Sequence, residues 1–137
     1  MIPGRPGMAV PMMAGALFLM ATAVAGVAPA AAPPAGNAAA GKTLSSKCTV
    51  CHSFVAGQNK IGPSLAGIIG RKAGTAPNFG YSPAMKASKL TWNVATLDRY
   101  LTNPRATVPG TKMIFAGIPA PADRANLIAY LAAPAKP

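Results

Sequence analysis

Cys48-Thr49-Val50-Cys51-His52 reads C-x-x-C-H, the attachment signature of a c-type haem. Chemistry sets the spacing. Two thiols three residues apart, on one turn of helix, can each form a thioether to a haem vinyl group. The following residue, His52, then lies under the porphyrin and offers a ring nitrogen to the iron. Other uses of a Cys pair fit less well. A closed zinc site takes four ligands and an iron–sulfur cluster four Cys. This chain has two Cys and one His. A thioredoxin-like dithiol needs a βαβ setting, and no strand pattern accompanies the motif. A plain Cys48–Cys51 disulfide is the remaining alternative.

The chain has 137 residues, enough for one domain behind an N-terminal segment. Both Cys lie in the motif, so no disulfide framework is available. Aromatics are few, and a bound porphyrin would supply much of the missing apolar interior. Net charge is +11, with Asp98 and Asp123 the two acidic residues. This implies attraction to acidic partners or anionic membrane surfaces. The basic residues are scattered singly rather than in runs, which argues against nucleic acid.

Residues 1–30 read as an export signal. Arg5 is the positive charge, the apolar stretch is densest from Ala14 to Met20, and small-residue cleavage options follow at Ala23-Val24-Ala25 and Ala28-Pro29-Ala30. An uncleaved membrane anchor is the alternative, since no charge occurs from Pro6 to Gly41. Residues 31–37 form an Ala/Pro-rich lead-in to a domain at 38–137. Export suits the motif, because bacterial haem attachment takes place outside the cytoplasm.

A first helix is expected over 38–51, capped by Asn37. Ala40, Leu44 and Cys48 would share its buried face through i, i+4 spacing. Gly- and Pro-rich loops follow to residue 82, with Leu65, Ile68 and Ile69 as core or haem-facing positions. Ser82 caps a short turn that starts at Pro83. Thr91 is expected to cap a helix over 92–102 with Val94, Leu97 and Leu101 on one face, ended by Pro104. Residues 105–120 show no helical pattern. A last helix over 121–132 has Pro121 in its first turn and buries Leu127, Ile128 and Leu131.

His52 would fill one axial position, and no second His exists for the other. Two Met lie outside the N-terminal segment, Met85 in a short helical turn and Met113 in an extended loop. An isolated Met is often a core filler, and Met113 is the better sixth ligand. A His/Met pair raises the potential of a haem and suits electron transfer. An open sixth position would suit ligand binding or peroxide chemistry, for which the sequence offers no distal His. The Pro63 carbonyl can hold the Nδ1 proton of His52. Arg71 is a candidate for a salt link to a haem propionate.

Gly62-Pro63-Ser64-Leu65, Gly70-Arg71-Lys72, Leu90-Thr91-Trp92, Pro109-Gly110-Thr111-Lys112-Met113-Ile114-Phe115 and Leu127-Ile128-Ala129-Tyr130-Leu131 follow the motif in order. With it they resemble class I cytochrome c, close to the mitochondrial and alphaproteobacterial soluble kind, over about residues 38–133. The resemblance implies an all-α cytochrome c fold, with three to five helices around one covalently bound haem c and crossed N- and C-terminal helices. It implies thioethers at Cys48 and Cys51 and iron ligation by His52 and Met113. Pro63 would hold His52, and Tyr100 would donate to the Met113 sulfur. Arg71, Tyr81 and Trp92 would surround the propionates, with Thr111 nearby. Ala40 and Leu44 would pack against Leu127 and Tyr130. The family usually has Gly and an aromatic in place of Ala40 and Leu44, and an internal Asn in place of Met85. The implied function is that of a periplasmic, monomeric electron carrier rather than an enzyme. It would run between a cytochrome bc-type complex and a terminal oxidase or photosynthetic reaction centre. Docking would use Lys42, Lys47, Lys60, Arg105 and Lys112.

Overall fold

A computed structural model describes residues 3, 4, 7 and 35–133. The chain divides into two units, residues 1–30 and 31–137. The expected export signal and residues 31–34 of the lead-in lie outside the described residues.

The second unit is helical. Its elements are α1 (Ala38–Leu44), α2 (Ser46–Thr49), α3 (Pro83–Ala87), α4 (Val94–Thr102), α5 (Pro104–Thr107) and α6 (Pro121–Ala132). With α1 and α2 counted as one interrupted helix, the described residues hold five. An isolated antiparallel bridge, Lys72 to Thr91, is the extended pairing among them. No helix of the described residues is long and apolar enough to cross a membrane.

The Asn37 side chain caps α1, accepting from the amides of Ala39 at 2.9 Å and Ala40 at 3.1 Å. Its own amide donates to Asn126 Oδ1 at 2.8 Å, tying the start of α1 to α6. The expected 38–51 helix breaks at Ser45, and α2 ends at Thr49. The amide of Cys48 reaches back three residues to the Ser45 carbonyl, and that of His52 four residues to Cys48. The motif therefore still sits on a helical turn.

The helix crossing corrects the expected register. Ala40 is exposed, Leu44 half-buried and Gly41 buried. A Cβ on Gly41 would overlap the carbonyl of Asn126 and come within 2.8 Å of the Tyr130 Cβ. Seven residues are close to two full turns of 3.6 and eight are not. The face that carries Cys48 thus runs back through Ser45 and Gly41. The glycine of the crossing is Gly41, not a missing residue at position 40.

Two further boundaries differ. Asn93, not Thr91, caps α4, in a capping box with Thr96. Trp92 stays outside the helix because its amide donates to the Arg71 carbonyl at 2.9 Å. Pro104 ends α4 and also opens α5, with Asn103 as cap, inside the stretch expected to lack helix. Val94 proves exposed, and α4 buries Leu97, Tyr100 and Leu101. Ser82 and Pro83 start α3 as expected, with Met85 N donating to Ser82 Oγ at 3.1 Å. Pro121 opens α6 as expected.

Arg124 on α6 is a residue that sequence reasoning did not single out. It is buried at 7% exposure. Its Nε donates to Asp98 Oδ1 on α4 at 2.7 Å, and one terminal nitrogen donates to the carbonyls of Ile118 and Pro119, both at 2.8 Å. One guanidinium thus pins α4, α6 and the loop between residues 113 and 120. Arg124→Leu strands two carbonyls and an aspartate, and is expected to cost about 2–4 kcal/mol. Guanidinium titration of the haem-loaded protein checks this; a loss below about 1 kcal/mol would refute the assignment.

Candidate functional site

The helices leave a cavity of about 640 Å3 between α2, the 61–71 loop, α4 and the loop that carries Met113. All ten residues named from the sequence line it: Cys48, Cys51, His52, Pro63, Arg71, Tyr81, Trp92, Tyr100, Thr111 and Met113. Leu65 and Ile68 line it too, as expected. Ile69 does not; it is 38% exposed.

His52 is held on one side. Its Nδ1 donates to the Pro63 carbonyl at 2.7 Å; a carbonyl can only accept, so the proton sits on Nδ1 and Nε2 is left with a free lone pair. Burial pushes the imidazole below its ordinary value. The Pro63 bond works the other way, and the positive charges of Arg71 and Lys60 add to the lowering. Burial and the two cations thus favour the neutral ring, the form in which imidazole binds a metal. The amide of Gly62 donates to the Cys51 carbonyl at 2.7 Å, bringing the backbone of residue 62 against the ring. A Cβ on Gly62 would overlap His52. The thiols of Cys48 and Cys51 are free and half-buried. Burial raises the Cys48 thiol, partly offset by Lys47.

Met113 is held by a closed set of hydrogen bonds. Its amide donates to Thr111 Oγ1 at 3.3 Å. Thr111 Oγ1 and the Tyr100 hydroxyl are 3.2 Å apart, and the Tyr100 hydroxyl donates to Met113 Sδ at 3.4 Å. Tyr100 has one proton, so if it serves the sulfur, Thr111 donates to the phenol oxygen. Burial raises the Tyr100 phenol above its ordinary value, with the Thr111 bond opposing. It remains a donor at neutral pH. Trp92 packs on Tyr100 with ring centroids 5.0 Å apart.

Arg71 is half-buried. It donates to the carbonyl of Ser64 at 2.7 Å and to that of Ala66 at 3.4 Å. Tyr81 accepts from the Ala76 amide at 3.2 Å and stands edge-on to Phe79. Both present polar groups at an otherwise apolar wall.

Sequence reasoning missed part of that wall. Met85, 7% exposed, lines the cavity beside Leu97, Leu101, Leu127 and Leu131. Helical spacing grouped the four Leu on apolar faces but did not show them facing a ligand, and Met85 was placed only in a short helical turn. It also missed the mouth, where Ile61 and Ile114 line the cavity yet are 80% and 90% exposed. Lys47 and Lys112 are exposed there as well. Lys42, Lys60 and Arg105 are exposed but do not line the cavity.

Two thiols, a neutral imidazole with one free nitrogen and an anchored thioether share this apolar chamber, a donor set that fits haem c. Over residues 38–133 the chain matches the family model for cytochrome c. The chain belongs to the cytochrome c family. It is 48% identical over 104 residues to a cytochrome c2 of Rhodomicrobium vannielii, covering 75% of this chain and 83% of that protein. It is 51% identical over 98 residues to a cytochrome c2 of Rhodoblastus acidophilus, covering 71% and 92%. Among solved structures, cytochrome cH from Methylobacterium extorquens superposes with a TM-score of 0.67 at 45% identity, over 70% of this chain and 97% of that one. As a cytochrome c, the protein carries one covalently bound haem c and performs single-haem electron transfer with redox protein partners.

Proposed function

We propose that the protein is a periplasmic electron carrier, not an enzyme, that runs between a cytochrome bc-type complex and a terminal oxidase or photosynthetic reaction centre. Cys48 and Cys51 would hold the haem through thioethers, and His52 and Met113 would be its axial ligands. Haem supplies a one-electron ferric/ferrous couple. The observation that carries this reading is the anchoring of both candidate ligands at one cavity, His52 by the Pro63 carbonyl at 2.7 Å and Met113 by the Tyr100 hydroxyl at 3.4 Å.

The chain's own residues do the rest. Pro63 fixes the tautomer and raises the basicity of His52. Tyr100 and Thr111 hold the thioether in place through a change of charge, which keeps reorganisation small. The apolar wall excludes water. Arg71 would offset the charge of the propionates and Tyr81 would offer them a hydroxyl, while Trp92 packs on Tyr100. Lys42, Lys47, Lys60, Arg105 and Lys112 steer an acidic partner, so association should slow as salt rises.

Optical spectra of the purified protein, with and without carbon monoxide, test the ligand set. A low-spin c-type spectrum with no carbon monoxide shift is expected. Ready carbon monoxide binding at neutral pH would show an open iron and favour ligand binding or peroxide chemistry.

A further inference from the structure

Both ends of the Met113 loop are tied to α4. At its start, the Met113 amide donates to Thr111 Oγ1 at 3.3 Å, and that oxygen lies 3.2 Å from the Tyr100 hydroxyl. At its end, the Ile118 amide donates to the Leu101 carbonyl at 2.7 Å. Gly117 lies so close to α4 that an added Cβ would overlap the Thr102 carbonyl. Among the described residues, the amides of Ile114, Phe115, Ala116 and Gly117 have no backbone acceptor. The segment that carries Met113 is therefore held from its two ends.

The far end is held by charge. The chain has 13 basic residues and two acidic ones, and one of the two, Asp98, pairs with Arg124 at 2.7 Å. Asp98 and Tyr100 share α4. With Nε fixed by Asp98, the planar guanidinium turns one terminal nitrogen onto the carbonyls of Ile118 and Pro119. A buried cation that loses its carboxylate is drawn toward water, and the two carbonyls then lose their donor.

We propose that Asp98 and Arg124 are positioning residues for the sixth ligand, and that their ion pair keeps the Met113 loop closed on the cavity. The proposal rests on the reading of Met113 as an axial ligand. The pair sets how rarely the loop opens, and so how far the protein stays an electron carrier rather than a binder of small ligands.

The test uses haem-loaded ferric protein with imidazole as the probe. Imidazole binds the iron only when the sixth position is vacant, so its apparent affinity scales with the open fraction of the loop. Asp98→Asn keeps the shape of the side chain and removes its charge, and should tighten imidazole binding about tenfold. Arg124→Lys keeps the charge but cannot span the same partners, and should tighten it at least as much. Asn37→Ala is the control. It removes the α1 cap, away from the loop, lowers thermal stability and should leave imidazole affinity unchanged. Hydrogen exchange at the Ile118 amide reads the loop without reference to the iron, and Asp98→Asn should speed it about tenfold. Equal gains in imidazole affinity from Asp98→Asn and Asn37→Ala would make the pair a feature of general stability and overturn the proposal. Unchanged Ile118 exchange in Asp98→Asn would do the same. Faster exchange with unchanged imidazole affinity would overturn it too, and there the fault would lie in Met113 as the ligand rather than in the clamp.

Discussion

Met113→Ala is expected to open the iron to carbon monoxide at neutral pH and to lower the reduction potential by a few tenths of a volt, on the order of what axial-ligand changes produce. The thioether is a soft ligand that favours the ferrous state. Its removal also leaves the Tyr100 hydroxyl without its sulfur acceptor at 3.4 Å. The fold should survive, because the loop remains tied by Ile118 N to Leu101 O at 2.7 Å and by Arg124 to the carbonyls of Ile118 and Pro119. Met85 lines the same cavity but is buried in capped α3, so it should not take over the vacant position. Voltammetry and carbon monoxide difference spectra decide the matter. A variant with unchanged potential and no carbon monoxide shift would show that another group binds the iron.

The second large effect concerns the fold itself. Cys48→Ser combined with Cys51→Ser should give a chain with no covalent haem and little helix by circular dichroism. The cavity of about 640 Å3, open at Ile61 and Ile114, runs in among the buried apolar side chains. The buried side chains that face it, Leu97, Leu101, Leu127 and Leu131, lose their packing partner without the haem, at about 1.5–3 kcal/mol for each one left against water. Four such side chains together rival the whole stability of a typical domain, about 5–15 kcal/mol. The helices cannot stand around the vacant space, so attachment and folding are one problem. A soluble, haem-free double variant with native helix content would refute this.

The site was legible in the sequence because its chemistry-bearing residues are scarce. With one His and two Cys in the chain, and two Met beyond residue 30, few assignments were open. All ten residues named in advance reach one cavity. What escaped depended on contacts between distant segments. Trp92 looked like the first residue of a helix until its amide was claimed by Arg71. Ala40 and Gly41 differ by a single step of a helix. The choice between them rests on the break at Ser45 and on the approach of Asn126, neither of which has a local signature. Arg124 went unnoticed because its acceptors, Asp98 and two loop carbonyls, come from elsewhere in the chain. Ile61 and Ile114, not singled out in the sequence, form the exposed rim, and Ile69, expected in the core or against the haem, is 38% exposed.

The closure of α1 on α6 bears on the order in which the protein is made. Asn37 and Asn126, 89 residues apart, are joined by a hydrogen bond, and Gly41 has no seat until Asn126 and Tyr130 arrive. A chain made from its N-terminus presents the two thiols long before that seat exists. During that interval the thiols of Cys48 and Cys51, half-buried in the folded chain, would be open to haem attachment. The last helix to emerge is thus the one whose docking waits on the haem, so an unmodified chain would stay open to attachment until the group is in place.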